Sequence, residues 1–287
     1  LWFTPNSFLP QLIKIWNLTS YDIGVLTNAV QLGFILGTLT FVALGFSDKY
    51  DPSKVIFVCC ILGAVANLYI IIEVKSFQFI ILSRSLVGFS LAGIYPIGMK
   101  LIITWSKYSS STNLAILVGM LTLGSALPHL VRMLGISFEW KLTIAVSSVF
   151  ACIGGVQILM LGAGPYGQSK SESFPLLQTI KQLLFNRDYV SSALGYFGHM
   201  WELYAFWACV PILLLSTLER PSAEQVAGFS FLIIGIGSLG CFCSGFLSQK
   251  FGSPSIAAVS LVMSASACLL YPLIPDYLAS TKILVLI

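Results

Sequence analysis

Apolar residues in this chain fall in long unbroken runs rather than at alternating positions. Eight such runs, at roughly 23–46, 55–72, 77–105, 112–131, 142–163, 189–215, 226–247 and 255–275, are separated by short polar stretches. A bilayer crossing needs about 20 apolar residues in helical form, and each run is long enough to cross with modest tilt. Barrel strands would instead alternate apolar and polar over about ten residues, and none of the runs does so. In lipid a continuous apolar segment must pair its own N–H and C=O groups, which a helix achieves. The pattern predicts eight complete membrane-spanning helices. The opening LWFTPNSFLPQLI and the closing ILVLI are apolar but too short to span, and are expected to be parts of two further helices of a longer chain. The opening run has neither the basic segment nor the small-residue cleavage site of a signal peptide.

Composition agrees with the pattern. Charged residues make up 9% of the chain and hydrophobic ones 57%, with a mean hydropathy of +0.91. A soluble domain carries about 25% charged residues, so this chain cannot clothe a water-facing surface. No basic cluster points to nucleic acid, and a net charge of +4 is ordinary for a membrane protein. The seven cysteines all sit in apolar runs without zinc-type spacing, and are expected to pack as small hydrophobes. No metal, cofactor, Walker loop or nucleophile elbow is indicated, so an enzyme is not expected.

The connections are short except one, from Gly164 to Asp188. It divides the chain into residues 1–163, a block of six helices with the first truncated, and 189–287, a second block cut short in its fourth helix. The connection, 164–188, contains PLLQTIKQLLF, whose apolar residues recur at helical spacing and predict an amphipathic helix lying at the membrane surface. Basic residues do not settle orientation. Seven lie in loops on the side of residues 48–54 and six on the other side, a margin too small for the positive-inside rule.

An internal repeat is more informative. LGFSDKYDPSKV at 44–55 aligns without gaps on GFLSQKFGSPSI at 245–256. Ser47, Lys49 and Tyr50 fall on Ser248, Lys250 and Phe251, while Asp48 falls on Gln249. Two related halves are a common build for secondary transporters.

On these residues the chain resembles the major facilitator superfamily. That family's signature loop, between its second and third helices, is glycine, three residues, Asp, Arg or Lys, any residue, glycine, then basic residues. Asp48, Lys49 and Lys54 fit, with Leu44 and Asp51 where the glycines would stand; the second copy keeps Gly245, Lys250 and Gly252 but carries Gln249 for the acid. The resemblance implies an all-α, polytopic two-bundle fold of twelve helices, eight of them complete here and two partial. It implies a conformational role for both loops, whose bland alternative is a solvated turn. SRSLVGFSLAGIYPIGMK, with Arg84, Gly88, Gly93 and Pro96, is similar to the family's arginine-bearing fourth helix. Arg84 lies about 10 Å inside the span at 1.5 Å per residue, deep enough to require a partner, hydration or an outward-reaching side chain. GMLTLGSALPHL lacks the Gly-Pro pair of the family's antiporter motif, and His129 within it is expected near the membrane interface. Gly33 and Gly37 suit close helix packing.

The candidate chemistry lies in YFGHMWELYAFW, residues 196–207. Glu202 falls near the centre of its helix and His199 one turn earlier on the same face. A low-dielectric setting opposes the charged form of either group, so the pair suits a site whose protonation changes with access. Three readings fit: a proton relay with Arg84 as a further partner, a neutral lock between halves, or a seat for a cationic substrate. Asn6, Gln31, Gln157, Tyr196, Trp201 and Tyr204 are candidates for the substrate cavity, with interhelical bonding or core packing as the alternative for each. The expected protein is a secondary carrier of a small solute, working by alternating access in a bacterial inner membrane, coupled to H+ and monomeric, with the lipid bilayer as its partner. Efflux by the same fold, or a non-transporting sensor on a transporter scaffold, would leave the same traces.

Overall fold

A computed structural model describes residues 1, 2, 4, 9–72, 76–107, 110–134, 140–166, 176–275 and 278–287; the side chains of 9–11, 14, 20, 23, 47, 48 and 176–179 lie outside the description. In chain order the α-helices are α1 (Leu9–Trp16), α2 (Ser20–Ala43), α3 (Phe46–Lys49), α4 (Pro52–Leu68), α5 (Phe77–Ala92), α6 (Tyr95–Thr104), α7 (Ser110–Leu134), α8 (Trp140–Leu161), α9 (Leu176–Phe185), α10 (Arg187–Thr217), α11 (Ala223–Phe251), α12 (Ser253–Leu270) and α13 (Ala279–Leu286). Among the described residues there is no strand. Eight segments are long and apolar enough to cross a membrane, with α5 and α6 counted together as one from Phe77 to Thr104. The protein is an all-α polytopic membrane protein, and the eight runs read from the sequence correspond to these eight segments.

The spans start where the chain supplies caps. Thr19 and Asp22 form a reciprocal capping box at α2, and Ser222 and Gln225 form another at α11; each satisfies backbone donors that a helix start leaves unpaired. The run at 77–105, expected as a single helix, is interrupted at Gly93–Ile94. Pro96 explains the break: it has no N–H to bond the carbonyl four residues back, and its ring crowds that carbonyl.

The outward surface of the helices is apolar, unlike that of a soluble protein. On α4 the buried positions include Cys59, Cys60, Gly63, Ala64, Ala66 and Asn67, whereas Val58, Leu62 and Val65 are more than half exposed. These small residues, together with Val55 and Ile56, meet other helices, while further branched apolar residues face outward, as in a protein dissolved in hydrocarbon. Gly88 of α5 lies so close to α2 that a Cβ there would fall on the carbonyl of Val30. Such contacts hold α2 on α5, and Gly155 of α8 similarly seats against Cys60 of α4. Helix α12 buries none of its residues against the described chain. His129, near the end of α7, is 6% exposed and lies on the same flank as Ala126, which is fully buried.

Candidate functional site

One polar cluster lies among the spans before the long connection and another among those after it, and aromatic rings cross between the two halves. The first cluster is on α10. His199 Nδ1 lies 3.7 Å from Glu202 Oε2, a separation set by their three-residue spacing on one helix face. The Ser264 hydroxyl of α12 donates a hydrogen bond to Glu202 Oε1. The Glu202 side chain is 28% exposed and that of His199 45%, so the carboxyl is shielded on two sides and open on others.

Arg84 belongs to a second cluster. Its side chain is 3% exposed, and its Nη1 donates to Asn67 Oδ1 at 3.2 Å. Nη2 donates to the carbonyls of Trp2 at 2.6 Å and Leu1 at 3.2 Å. Asn67 is fixed in turn from α8: its Nδ2 donates to the hydroxyls of Ser148 at 3.0 Å and Ser147 at 3.2 Å. The described partners of Arg84 are thus neutral acceptors within the first half of the chain, while those of Glu202 are His199 and Ser264. The described bonds place Arg84, expected from sequence as a further partner of Glu202, in a separate cluster from it. Both terminal nitrogens of the guanidinium donate to acceptors of the first half.

Rings connect the Arg84 cluster to α10. Trp2, whose carbonyl Arg84 holds, stacks on Tyr204 of α10 at 5.3 Å between centroids and 17° between planes. Trp2 also meets Phe34 of α2 at 5.1 Å, and Tyr204 meets Trp207 edge-on at 5.9 Å. Farther along, Tyr95, at the start of α6, and Tyr196 of α10 interact through their hydroxyls. Tyr196 and Tyr204 therefore both face the first half of the chain. Trp201, one turn before Tyr204, is by contrast 82% exposed. Gln31 is partly buried on α2, and Gln157 is exposed on α8, about 200° around the helix from the Gly155 contact. Asn6 lies outside the described residues.

Helices α7 and α11 form a seam along their full length. At one end Gln249 Nε2 donates to Thr112 Oγ1 at 2.5 Å, and Thr112 Oγ1 donates to the Gly245 carbonyl at 3.1 Å. Farther along, Gly119 faces the ring of Phe242, Thr122 meets Gly237, and Gly228 meets Met133. At the opposite end Arg132 and Glu224 attract each other electrostatically.

The two signature-like loops differ in construction. In the first, Asp51 caps α4 by accepting from Ser53 N at 2.9 Å and Ser53 Oγ at 2.6 Å, and these bonds hold its carboxyl below the usual carboxylate range. The left-handed turn sits at Gly45 (φ 62°). In the second, Gly252 (φ 81°) makes the turn and ends α11. Lys49, Lys54 and Lys250 are exposed, and the Asp48 side chain lies outside the description. Among the described residues, no three His, Cys, Asp or Glu side chains converge as a metal would require.

The model of one family, described as the Major Facilitator Superfamily, matches residues 1–287. The chain belongs to the Major Facilitator Superfamily. Within it, the chain is 25% identical over 313 aligned residues to protein spinster homolog 3 of Danio rerio, covering 98% of this chain and 61% of that protein. It also resembles the crystal structure of a bacterial homolog to the human lysosomal transporter Spinster, in an inward-facing and occupied conformation, with a TM-score of 0.67 at 16% identity. That match covers 99% of this chain and 67% of the other. This superfamily chain therefore spans about three fifths of the curated relative's length.

Sequence reasoning missed Trp2, Asn67, Thr112 and Ser264. An amide inside the apolar run 55–72 was a visible signal for Asn67. Thr112 and Ser264 gave none, since hydroxyls are common in spans and usually bond the carbonyl one turn back on their own helix.

Proposed function

We propose that this protein is a secondary transporter moving a small solute across a membrane by alternating access, with Glu202 as the proton-carrying group. Residues 1–163 form one bundle and 189–287 the beginning of the other, joined by 164–188, and the two rock about the interior that Trp2 and Tyr204 bridge. The observation that carries the reading is a carboxyl inside a membrane-spanning helix, with an imidazole at 3.7 Å and a hydroxyl bond from a neighbouring helix. An ionisable group at that depth is costly and marks a functional pathway by default. Protonation would discharge Glu202 while the bond from Ser264 persists, and His199 is placed to exchange the proton. Arg84 acts by positioning the Trp2 segment, and Tyr196 and Tyr204 present rings and hydroxyls to an organic solute. A bacterial plasma membrane, a monomer and H+ as coupling ion complete the proposal.

The test is flux of candidate solutes in proteoliposomes holding the full-length protein, with and without an imposed pH gradient. Gradient-driven accumulation should be abolished in Glu202→Gln while solute exchange without a gradient persists. Flux that ignores the gradient, or a Glu202→Gln protein that still accumulates solute, overturns the coupling role.

A further inference from the structure

Helix α9 and the start of α10 leave an apolar edge uncovered. Ile180, Leu184 and Phe185 are 43%, 64% and 82% exposed. Beside them Lys181 and Arg187 are exposed cations. A single residue separates the two helices: Asn186, with extended backbone angles, caps α10 by accepting from Asp188 N at 3.0 Å and Tyr189 N at 3.1 Å. Because α10 is long and apolar enough to cross a membrane and begins at Arg187, this corner places the C-terminal end of α9 beside one end of a membrane-crossing helix. An apolar edge held there meets acyl chains, and cations beside it meet headgroups.

The charge of the whole molecule points the same way. The loops at the end carrying α9 and the α2–α4 connection hold seven basic and four acidic residues, and those at the opposite end hold six of each. The positive excess outside the apolar runs of the sequence therefore lies entirely at the α9 end, where basic residues near a membrane surface attract anionic lipid.

We propose that α9 is a lipid-binding surface helix: Ile180 and Leu184, which share a face, enter the acyl region, and Lys181, flanking that face, and Arg187 hold the phosphate of an anionic phospholipid. Its consequence is positional. The span bearing His199 and Glu202 is anchored at its first residue to the bilayer surface, so the lipid sets its height in the membrane. The surface does not depend on what the protein transports.

The test uses the full-length protein with its native cysteines replaced, carrying a spin label at Leu184→Cys or Gln182→Cys, in nanodiscs of phosphatidylcholine alone or with phosphatidylglycerol. The label at 184 should be more accessible to oxygen than to a water-soluble nickel complex, and the label at 182 the reverse. Native mass spectrometry should show phosphatidylglycerol retained over phosphatidylcholine, with that preference falling about threefold or more in Lys181→Gln/Arg187→Gln. A water-like label at 184 overturns the insertion. An unchanged lipid preference in the double variant overturns headgroup recognition by these two residues, and protection of the 184 label in detergent without lipid would assign the face to protein instead.

Discussion

The α7–α11 seam makes a sharp prediction at Gly245. A Cβ added there would stand 2.5 Å from the Cβ of Ala115, where ordinary contact is 3.4–4 Å. Neither atom can rotate away, because each is fixed to a helix backbone. The helices must separate locally by about 1 Å, a gap that forfeits a quarter to a half of each dispersion contact it opens. The same separation stretches the Thr112 bond to the Gly245 carbonyl, now 3.1 Å. Overpacking of this kind costs about 1–3 kcal/mol, against which alanine gains up to about 1 kcal/mol over glycine in helix propensity. Gly240, on the same helix, is the matched control: a Cβ there meets nothing within 4 Å. Gly245→Ala should lower the thermal midpoint of the purified protein, and Gly240→Ala should leave it unchanged or raise it. If α7 and α11 part during transport, Gly245→Ala also shifts the population of the closed state, readable as a change in the spin-label distance between the two helix ends. Equal midpoints for the two variants, with an unaltered distance distribution, would refute the steric reasoning.

Two other outcomes follow from the same geometry. Replacing Asp51 with Ala removes the cap of α4 and should cost about 1 kcal/mol; because the folded carboxyl is held below its usual range, the cap's contribution is present above about pH 4 and is lost as pH falls through the folded value, so thermal midpoints of the wild type and the variant should converge in acid. In a double-mutant cycle between Trp2→Ala and Tyr204→Ala, the stacked rings should give a coupling of about 0.5–1.5 kcal/mol, and a coupling of zero would mean that the bridge carries no energy.

The spans were legible because hydrocarbon enforces long helices, and a run of apolar residues records that demand directly. The finer features followed other rules. The break at Gly93–Ile94 was written in Pro96, yet a continuous apolar run hid it. Asp51 read as a glycine lost from the signature loop, but it is a cap, and the left-handed turn has moved to Gly45. Glu202 and His199 were recognisable on their own helix because three-residue spacing fixes their proximity. Their partners were not: which hydroxyl of α12 reaches Glu202, and which carbonyls occupy Arg84, depend on how helices are rotated against one another. A single sequence does not state that rotation when the small residues at the contacts, such as Gly88 and Gly155, are spread through every run.

The seam between α7 and α11 is fastened in two different chemical languages. Thr112, Gln249 and the Gly245 carbonyl meet through uncharged dipoles, so neither ionic strength nor proton concentration alters their grip. Arg132 and Glu224, at the far end, attract as ions, and salt weakens that attraction within a Debye length of about 8 Å at physiological strength. One helix pair thus has an end that senses the medium and an end that is deaf to it, and a change in the bathing solution would loosen the seam from a single side.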